Sequence, residues 1–278
     1  MIVCEADQAT GIAGGLDWST RCSGKSVALC LELANEDEIA QFRTVPKHLG
    51  RDNRISIDPL MNAAKFSVPP RSPADTSGQL HIQFPEAMRD VYVAFDVYYP
   101  QEFLDASFRS SGGWKTFILG QGKQGCAPHE VVGVNGYFKG YPQFYYSCHK
   151  FLGVMVHNPF GNDANEFDYQ PGADSQCLRH GVPARGGCAM FVGDQWTTFQ
   201  IHVNTWAKWL EVWMTVEGRK TRKIIDHPLD DLPDEVWYEW IKLTPYQTGK
   251  SANEAHPAYA LWHRRLIVSG EKIPHPKN

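Results

Sequence analysis

Gln200 and His202 stand two residues apart in Trp196-Thr197-Thr198-Phe199-Gln200-Ile201-His202-Val203-Asn204. A strand over this run puts both on one side with Trp196 and Thr198, against Thr197, Phe199, Ile201 and Val203. An imidazole beside an amide suits removal of a proton next to a carboxylate, the first event of a β-elimination. That chemistry needs a group to neutralise the carboxylate, a base for the α proton and an acid for the leaving oxygen. Gln200 or Arg109 has the donors for the first role, His202 suits the second, and Tyr145 or Tyr146 the third, or acid and base combined. The alternative for His202 is a strand residue hydrogen-bonded in a wall.

In the next run, Trp209 to Val216, the alternation separates Leu210, Val212, Met214 and Val216 from Trp209, Glu211, Trp213 and Thr215. The first set is a core face. The second sets two indoles beside a carboxylate, a combination that stacks on the apolar face of a sugar ring, or else forms a second buried layer under a loop. If the two runs are neighbours, Trp196, Trp209, Trp213 and Glu211 join Gln200 and His202 in one surface suited to an extended glycan. Lys115 and Gln121 end a run, Lys115-Thr116-Phe117-Ile118-Leu119-Gly120-Gln121, whose alternate positions are otherwise apolar; they either bind acidic or hydroxyl groups or support the core. His149 follows the tyrosine-rich segment Tyr141 to Tyr146 and is placed to line the same cleft.

Glycoside hydrolysis needs two carboxyl groups across the scissile bond. Around Glu211 the alternate positions are Trp213 and Thr215, not acids, and Asp226, Asp230, Asp231, Asp234 and Glu235 read as a solvated connection. Asp163, Asn165 and Asp168 offer oxygen ligands for a structural calcium ion, without the glycine and terminal glutamate of an EF-hand loop. The elimination itself requires no cofactor.

These groups must be positioned by strands. From about residue 52 onward, runs rich in β-branched and aromatic residues recur between glycine, proline or asparagine turns: Leu80–Phe84, Asp90–Tyr99, Trp114–Gly120, Phe144–Cys148, Trp196–Asn204, Trp209–Glu217, Tyr238–Leu243 and Ala258–Ser269. The expected fold is all-β, an antiparallel two-sheet β-sandwich of jelly-roll type over residues 51–278. Residues 1–50 form an irregular N-terminal arm packed on it, with a short helix between Leu31 and Phe42.

With 278 residues, 42% hydrophobic and 21% charged, the chain has the material for a full core. A formal charge of −4 without a long basic block excludes a nucleic-acid footprint, and Arg219 to Lys223 reads as a solvated hairpin arm. No apolar run approaches the roughly 20 residues of a membrane span. Seven cysteines pair by proximity as Cys22–Cys30, Cys126–Cys148 and Cys177–Cys188, leaving Cys4. This favours an oxidising, extracellular setting, secreted or virion-associated, although the N-terminus shows no signal-peptide pattern. The oligomeric state is not encoded in any of these features.

The run Asp194 to Val203, Glu211-Val212-Trp213 with Glu217-Gly218, and Leu243-Thr244-Pro245-Tyr246-Gln247-Thr248-Gly249-Lys250 before Trp262 and Leu266 to Ser269 resemble the concanavalin A-like lectin/glucanase superfamily. They are most similar to jelly-roll polysaccharide lyases and their bacterial and phage relatives. The resemblance implies a bent sandwich whose concave face binds an extended saccharide. Alginate lyases of that superfamily carry a Gln-Ile-His triplet and a Tyr-Phe-Lys segment. Gln200-Ile201-His202 and Tyr137-Phe138-Lys139 match them in reverse order along the chain, and the match adds Lys139 to the candidate binding residues. The competing class is a noncatalytic glycan-binding or adhesion module using the same tryptophans; a glycoside hydrolase comes second.

Overall fold

The computed structural model describes residues 17–45, 54–71, 78–106, 108–109, 112–122, 129–136, 140–147, 166–167, 189–229, 232–247 and 249–277, with the backbone alone described at 43–45, 145–147 and 166–167. In chain order the elements are α1 (Trp18–Cys22), β1 (Val27–Leu31), α2 (Glu36–Ala40), β2 (Arg43–Val45), β3 (Ile55–Asp58), β4 (Ala63–Val68), β5 (Gln79–Met88) and β6 (Asp90–Tyr98). They continue with α3 (Gln101–Leu104), β7 (Gly113–Gly120), β8 (Glu130–Gly136), β9 (Gln143–Ser147), β10 (Glu166–Phe167), β11 (Trp196–Asn204), β12 (Trp209–Val216), β13 (Arg222–Pro228), β14 (Tyr238–Leu243) and β15 (Tyr259–Ser269).

Among the described residues the strands form two antiparallel sheets. One has eight strands in the order β13-β12-β11-β6-β15-β4-β3, with β1 also paired to β15; the other has seven, β10-β9-β8-β7-β14-β5-β2. The protein is therefore the two-sheet β-sandwich expected. The period of two decides which side chains meet between the sheets. Phe95 from β6, Phe199 from β11 and Phe117 from β7 are all buried, and the Phe95 and Phe117 rings cross the interlayer space edge to face at 5.6 Å. Leu210, Val212, Met214 and Val216 lie in the same core, as the alternation of β12 requires. Each such side chain contributes about 1.5–3 kcal/mol on leaving water.

The N-terminal arm differs from expectation. It is not an irregular appendage, because β1 pairs with β15 and β2 pairs with β5, so it supplies a strand to each sheet. Leu31 closes β1 instead of opening a helix. The only helix in that interval is α2, whose N-cap Asn35 accepts a hydrogen bond from Glu38 N at 2.8 Å. Glu38 in turn reaches back to Leu33 N at 2.7 Å. The Arg219 to Lys223 stretch is the turn and first residues of the β12–β13 hairpin, with Gly218 at φ +74°. Asp226, expected in a solvated connection, lies on β13 instead and accepts from the Trp209 indole at 2.7 Å. The Cys22–Cys30 disulfide is present. Cys4, Cys126, Cys148, Cys177 and Cys188 lie outside the described residues.

Candidate functional site on the seven-stranded sheet

The outer faces of the two sheets differ in what they hold. On the eight-stranded sheet, β11 and β12 are neighbours as expected, with Gln200 opposite Trp213 and His202 opposite Glu211. Their outer face is not an open sugar platform. Gln200 is buried and its Nε2 donates to the carbonyl of Ile273 at 2.7 Å. Trp213 is only 5% exposed, with the Lys223 and Lys272 ammonium groups 5.4 and 5.5 Å from its ring centre and the His275 ring beside it. Residues after β15 thus pack over the strand pair. Trp196 lies half-buried under the Arg264 guanidinium at 3.8 Å, and Trp209 alone of the three keeps substantial exposure.

His202 is fixed at both ring nitrogens. Nδ1 lies 2.8 Å from Glu211 Oε2 and Nε2 lies 2.7 Å from Asp90 Oδ1, while the Tyr92 ring stacks on the imidazole at 3.9 Å. Burial, with Asp90 and Glu211 close by, pushes the Tyr92 phenol up to about 12. Lys223 extends the cluster with ion pairs to Glu211 and Asp226 at 2.5 and 3.2 Å. Burial opposes ionisation of Glu211, but its hydrogen bonds from Lys223 and His202 hold it below the ordinary carboxylate range. In this arrangement neither imidazole nitrogen is left for a substrate proton, so the expected base is a wall residue.

The expected catalytic set is also divided. Gln200 and His202 belong to the eight-stranded sheet, whereas Tyr145 and Tyr146 are on β9 of the other. With facing sheets about 10 Å apart and His202 on the far side, the groups do not converge. Arg109 sits exposed in the turn between α3 and β7. Lys139, His149, Asp163, Asn165 and Asp168 lie outside the described residues.

The seven-stranded sheet carries what the sequence patterns did not single out. His81, Lys242, Ile118, Val132 and Tyr145 are successive register partners across β5, β14, β7, β8 and β9. Each of the first four alternates with a core residue, so this row runs along the outer face: Leu80 and Ile82 flank His81, and Ile241 and Leu243 flank Lys242. Tyr146, in contrast, is paired with core-facing Val131. Glu130 and Gln143 share the outer side by the same alternation with Val131 and Phe144, and both are buried.

Lys115 reaches this face through an irregularity. The strand register slips between Lys115 and Phe117, so Phe117 and Leu119 enter the core. Lys115 instead lies with its ammonium 5.0 Å from the Tyr246 ring centre. The expected single face of Lys115, Phe117, Leu119 and Gln121 is broken there. Gln121, half-buried just past β7, accepts from Trp237 N at 3.2 Å.

Burial holds both lysine ammonium groups below the ordinary lysine range, while the negative charge of Glu130 pulls each back up; Lys242 further depresses Lys115. Trp240 floors the row: its ring packs with His81 at 5.0 Å, the Lys242 ammonium lies 4.6 Å from its centre, and its Nε1 donates to Gly122 O. That indole lies where a side chain on Gly120 would stand, so glycine there is a steric requirement. Two lysines and a carboxylate gathered on a largely apolar, buried face are costly to desolvate. Such arrangements are characteristic of sites that handle charge. Alternation alone does not reveal it, because Tyr238-Glu239-Trp240-Ile241-Lys242-Leu243 reads as a half-exposed strand.

Among the described residues no group of three or more His, Cys, Asp or Glu side chains is placed to hold a metal ion, and no helix is long and apolar enough to cross a membrane.

The fold defines a β-sandwich protein. No family model and no curated protein matches the chain. Among solved structures it is similar to alginate lyase Aly36B, at 12% identity over 90% of this chain and 98% of that one, with a TM-score of 0.49. It is also similar to alginate lyase vAL-1 from Chlorella virus, at 12% identity over 87% and 99%, with a TM-score of 0.44. The binding domain of botulinum neurotoxin serotype C1 matches at 8% identity over 89% of this chain and 49% of that one, with a TM-score of 0.47.

Proposed function

We propose that this protein acts outside the cell, secreted or virion-associated, on an acidic polysaccharide, and that it cleaves the polymer by β-elimination on the outer face of the seven-stranded sheet. The observation that carries this reading is Glu130 acting on both Lys115 and Lys242 in a buried setting beside the register position of Tyr145. The Cys22–Cys30 disulfide supports the oxidising setting.

A uronate carboxylate meets the Lys242 ammonium and the Gln143 amide, which stabilise the charge that develops as the α proton leaves. The phenolate oxygen of Tyr145 takes the proton from the carbon next to the carboxylate and so becomes the phenol. The freed electron pair forms the carbon–carbon double bond, the bond to the leaving glycosidic oxygen breaks, and that oxygen receives a proton from the same phenol. Glu130 partly offsets the cost that burial imposes on the charge of the neighbouring lysines.

Uronic-acid polymers and neutral glucans are incubated with the protein while unsaturated-uronate absorbance and reducing ends are followed together. Both signals are expected on at least one acidic polymer, and neither on the glucans. Tyr145→Phe is expected to lower turnover about 10²–10⁴-fold with polymer binding retained, and Lys242→Met to abolish it. Reducing ends without the unsaturated product mean hydrolysis and overturn the mechanism. Binding without any product on every acidic polymer makes the protein a glycan-binding module.

A further inference from the structure

The outer face of the eight-stranded sheet holds a second polar feature, remote from the Lys242 row. A cleft of about 230 Å³ opens between α1, the strands β12, β11, β6 and β15, and the residues that follow β15. Its floor is a cross-strand row in which Arg264, Asp96, Thr198 and Thr215 are successive register partners. At the edge of this row the strand is irregular. β15 slips register between Arg264 and Ile267, and Arg265 takes a left-handed backbone, φ +58°, which a bulky residue rarely adopts. The bulge lets adjacent residues serve one side: Arg264 Nε lies 3.3 Å and Arg265 Nη1 3.8 Å from the same Asp96 Oδ2.

A third guanidinium comes from α1. Arg21 is 3% exposed and held by a bond from its Nε to Pro274 O at 2.8 Å, while its Nη2 is buried without an acceptor among the described residues. Three guanidinium groups thus share one buried carboxylate, and that carboxylate already accepts from Thr198 Oγ1 at 2.6 Å. Burial and the mutual repulsion with Arg265 disfavour the charge on Arg21, and Asp96 only partly offsets them. Asp17, at the mouth, is committed to capping α1 through Thr20 N and Ser19 Oγ. Glu217 and Lys277 also line the cleft, so Arg21, Arg264, Arg265 and Lys277 face Asp17, Asp96 and Glu217. A small positive excess and a buried donor, Arg21 Nη2, without an acceptor among the described residues are a combination that suits an anion.

We propose that this cleft binds a small organic carboxylate, its carboxylate entering among Arg21, Arg264 and Arg265 and its body occupying the space walled by Trp18 and Trp196. The volume selects an organic body over a bare anion, since a water-sized species takes about 30 Å³. The site is independent of polymer cleavage, being on the opposite sheet and needing no scissile bond.

Titration of the intact protein with glucuronate, glucose and sulfate, followed by calorimetry and tryptophan fluorescence, tests it. Glucuronate is expected to bind at least tenfold more tightly than either of the others, with an affinity that falls as salt rises. Arg265→Gln, at the more exposed guanidinium, is expected to weaken glucuronate at least fivefold without altering the melting temperature by more than a few degrees, and Arg21→Gln to weaken it further. Both arginine variants, on the other sheet from the Lys242 row, should leave polymer cleavage unchanged. Glucuronate no tighter than glucose overturns the anion site; sulfate equal to glucuronate overturns the organic ligand; glucuronate affinity unchanged in both arginine variants places the ligand elsewhere on the molecule.

Discussion

His263 shows how much a single buried group can decide. It is fully buried on β15, packed against Phe66 at 5.0 Å and Phe95 at 5.7 Å, with neither ring nitrogen hydrogen-bonded among the described residues. Burial drops its pKa from 6.5 to about 3, so the folded protein keeps it neutral while the unfolded chain takes up a proton once the pH falls below 6.5. Stability therefore declines from pH 6.5 toward pH 3. His263→Leu should flatten that limb, recovering about 2 kcal/mol at pH 5 relative to the wild type's own loss. Melting curves between pH 4 and 7 read this directly, and parallel limbs in both proteins would refute it. Gly120→Ala makes a steric test at the same scale. Its new methyl group overlaps the Trp240 ring, so about 1–3 kcal/mol of stability is expected to go. The change should also disturb Lys242, whose ammonium lies over that ring.

At the scale of elements, the Cys22–Cys30 bridge ties the end of α1 to β1. In the chain-entropy estimate, closing so short a loop is worth about 2–3 kcal/mol. The double change Cys22→Ser with Cys30→Ser is expected to lower the melting temperature by about 5–10 °C, at roughly 2–4 °C per kcal/mol for a chain of this size. An unchanged melting temperature in the double variant would show that β1 is held by its pairing with β15 alone. The long runs were legible in the sequence: Trp196–Asn204 and Tyr238–Leu243 have the bounds expected, because aromatic and β-branched residues alternate without interruption. The strands β1, β2, β3, β4, β8, β10 and β13 were not. Glu130-Val-Val-Gly-Val-Asn-Gly lacks clean alternation because every residue in it is buried, and burial on both sides erases the period of two, whereas Val27-Ala-Leu-Cys-Leu is a short apolar run that is half-buried up to Leu31. Two bulges, after Lys115 and after Arg264, also redirect side chains in a way no strict alternation anticipates.

Across the whole molecule, the candidate site was legible by residue type but not by place. The sequence put Gln200 and His202 on one outward face and Glu211 and Trp213 on another that would join it if the strands were neighbours, and β11 and β12 do pair; which outer face a segment distant in sequence will cover is a property of tertiary packing. Ile273 and His275, far from β12 in sequence, cover Gln200 and Trp213 on the expected sugar platform. The seven-stranded sheet's charged row escaped notice for the converse reason, since Glu130, His81 and Lys242 come from three separate strands and converge only once β7 and β14 lie side by side.

The pairing of β1 with β15 sets a schedule for synthesis. Val27 is bonded in register to Ser269, and β15 also holds β6 and β4, so the strand made last in the eight-stranded sheet joins the ones made first. Until the ribosome has released that stretch, β1, β4 and β6 present unpaired edges to their surroundings. The loop-closure entropy of a contact across most of the chain must be met in one late step. This sheet is thus completed only once β15 has emerged, and until then its open edges are the aggregation-prone part of the nascent chain.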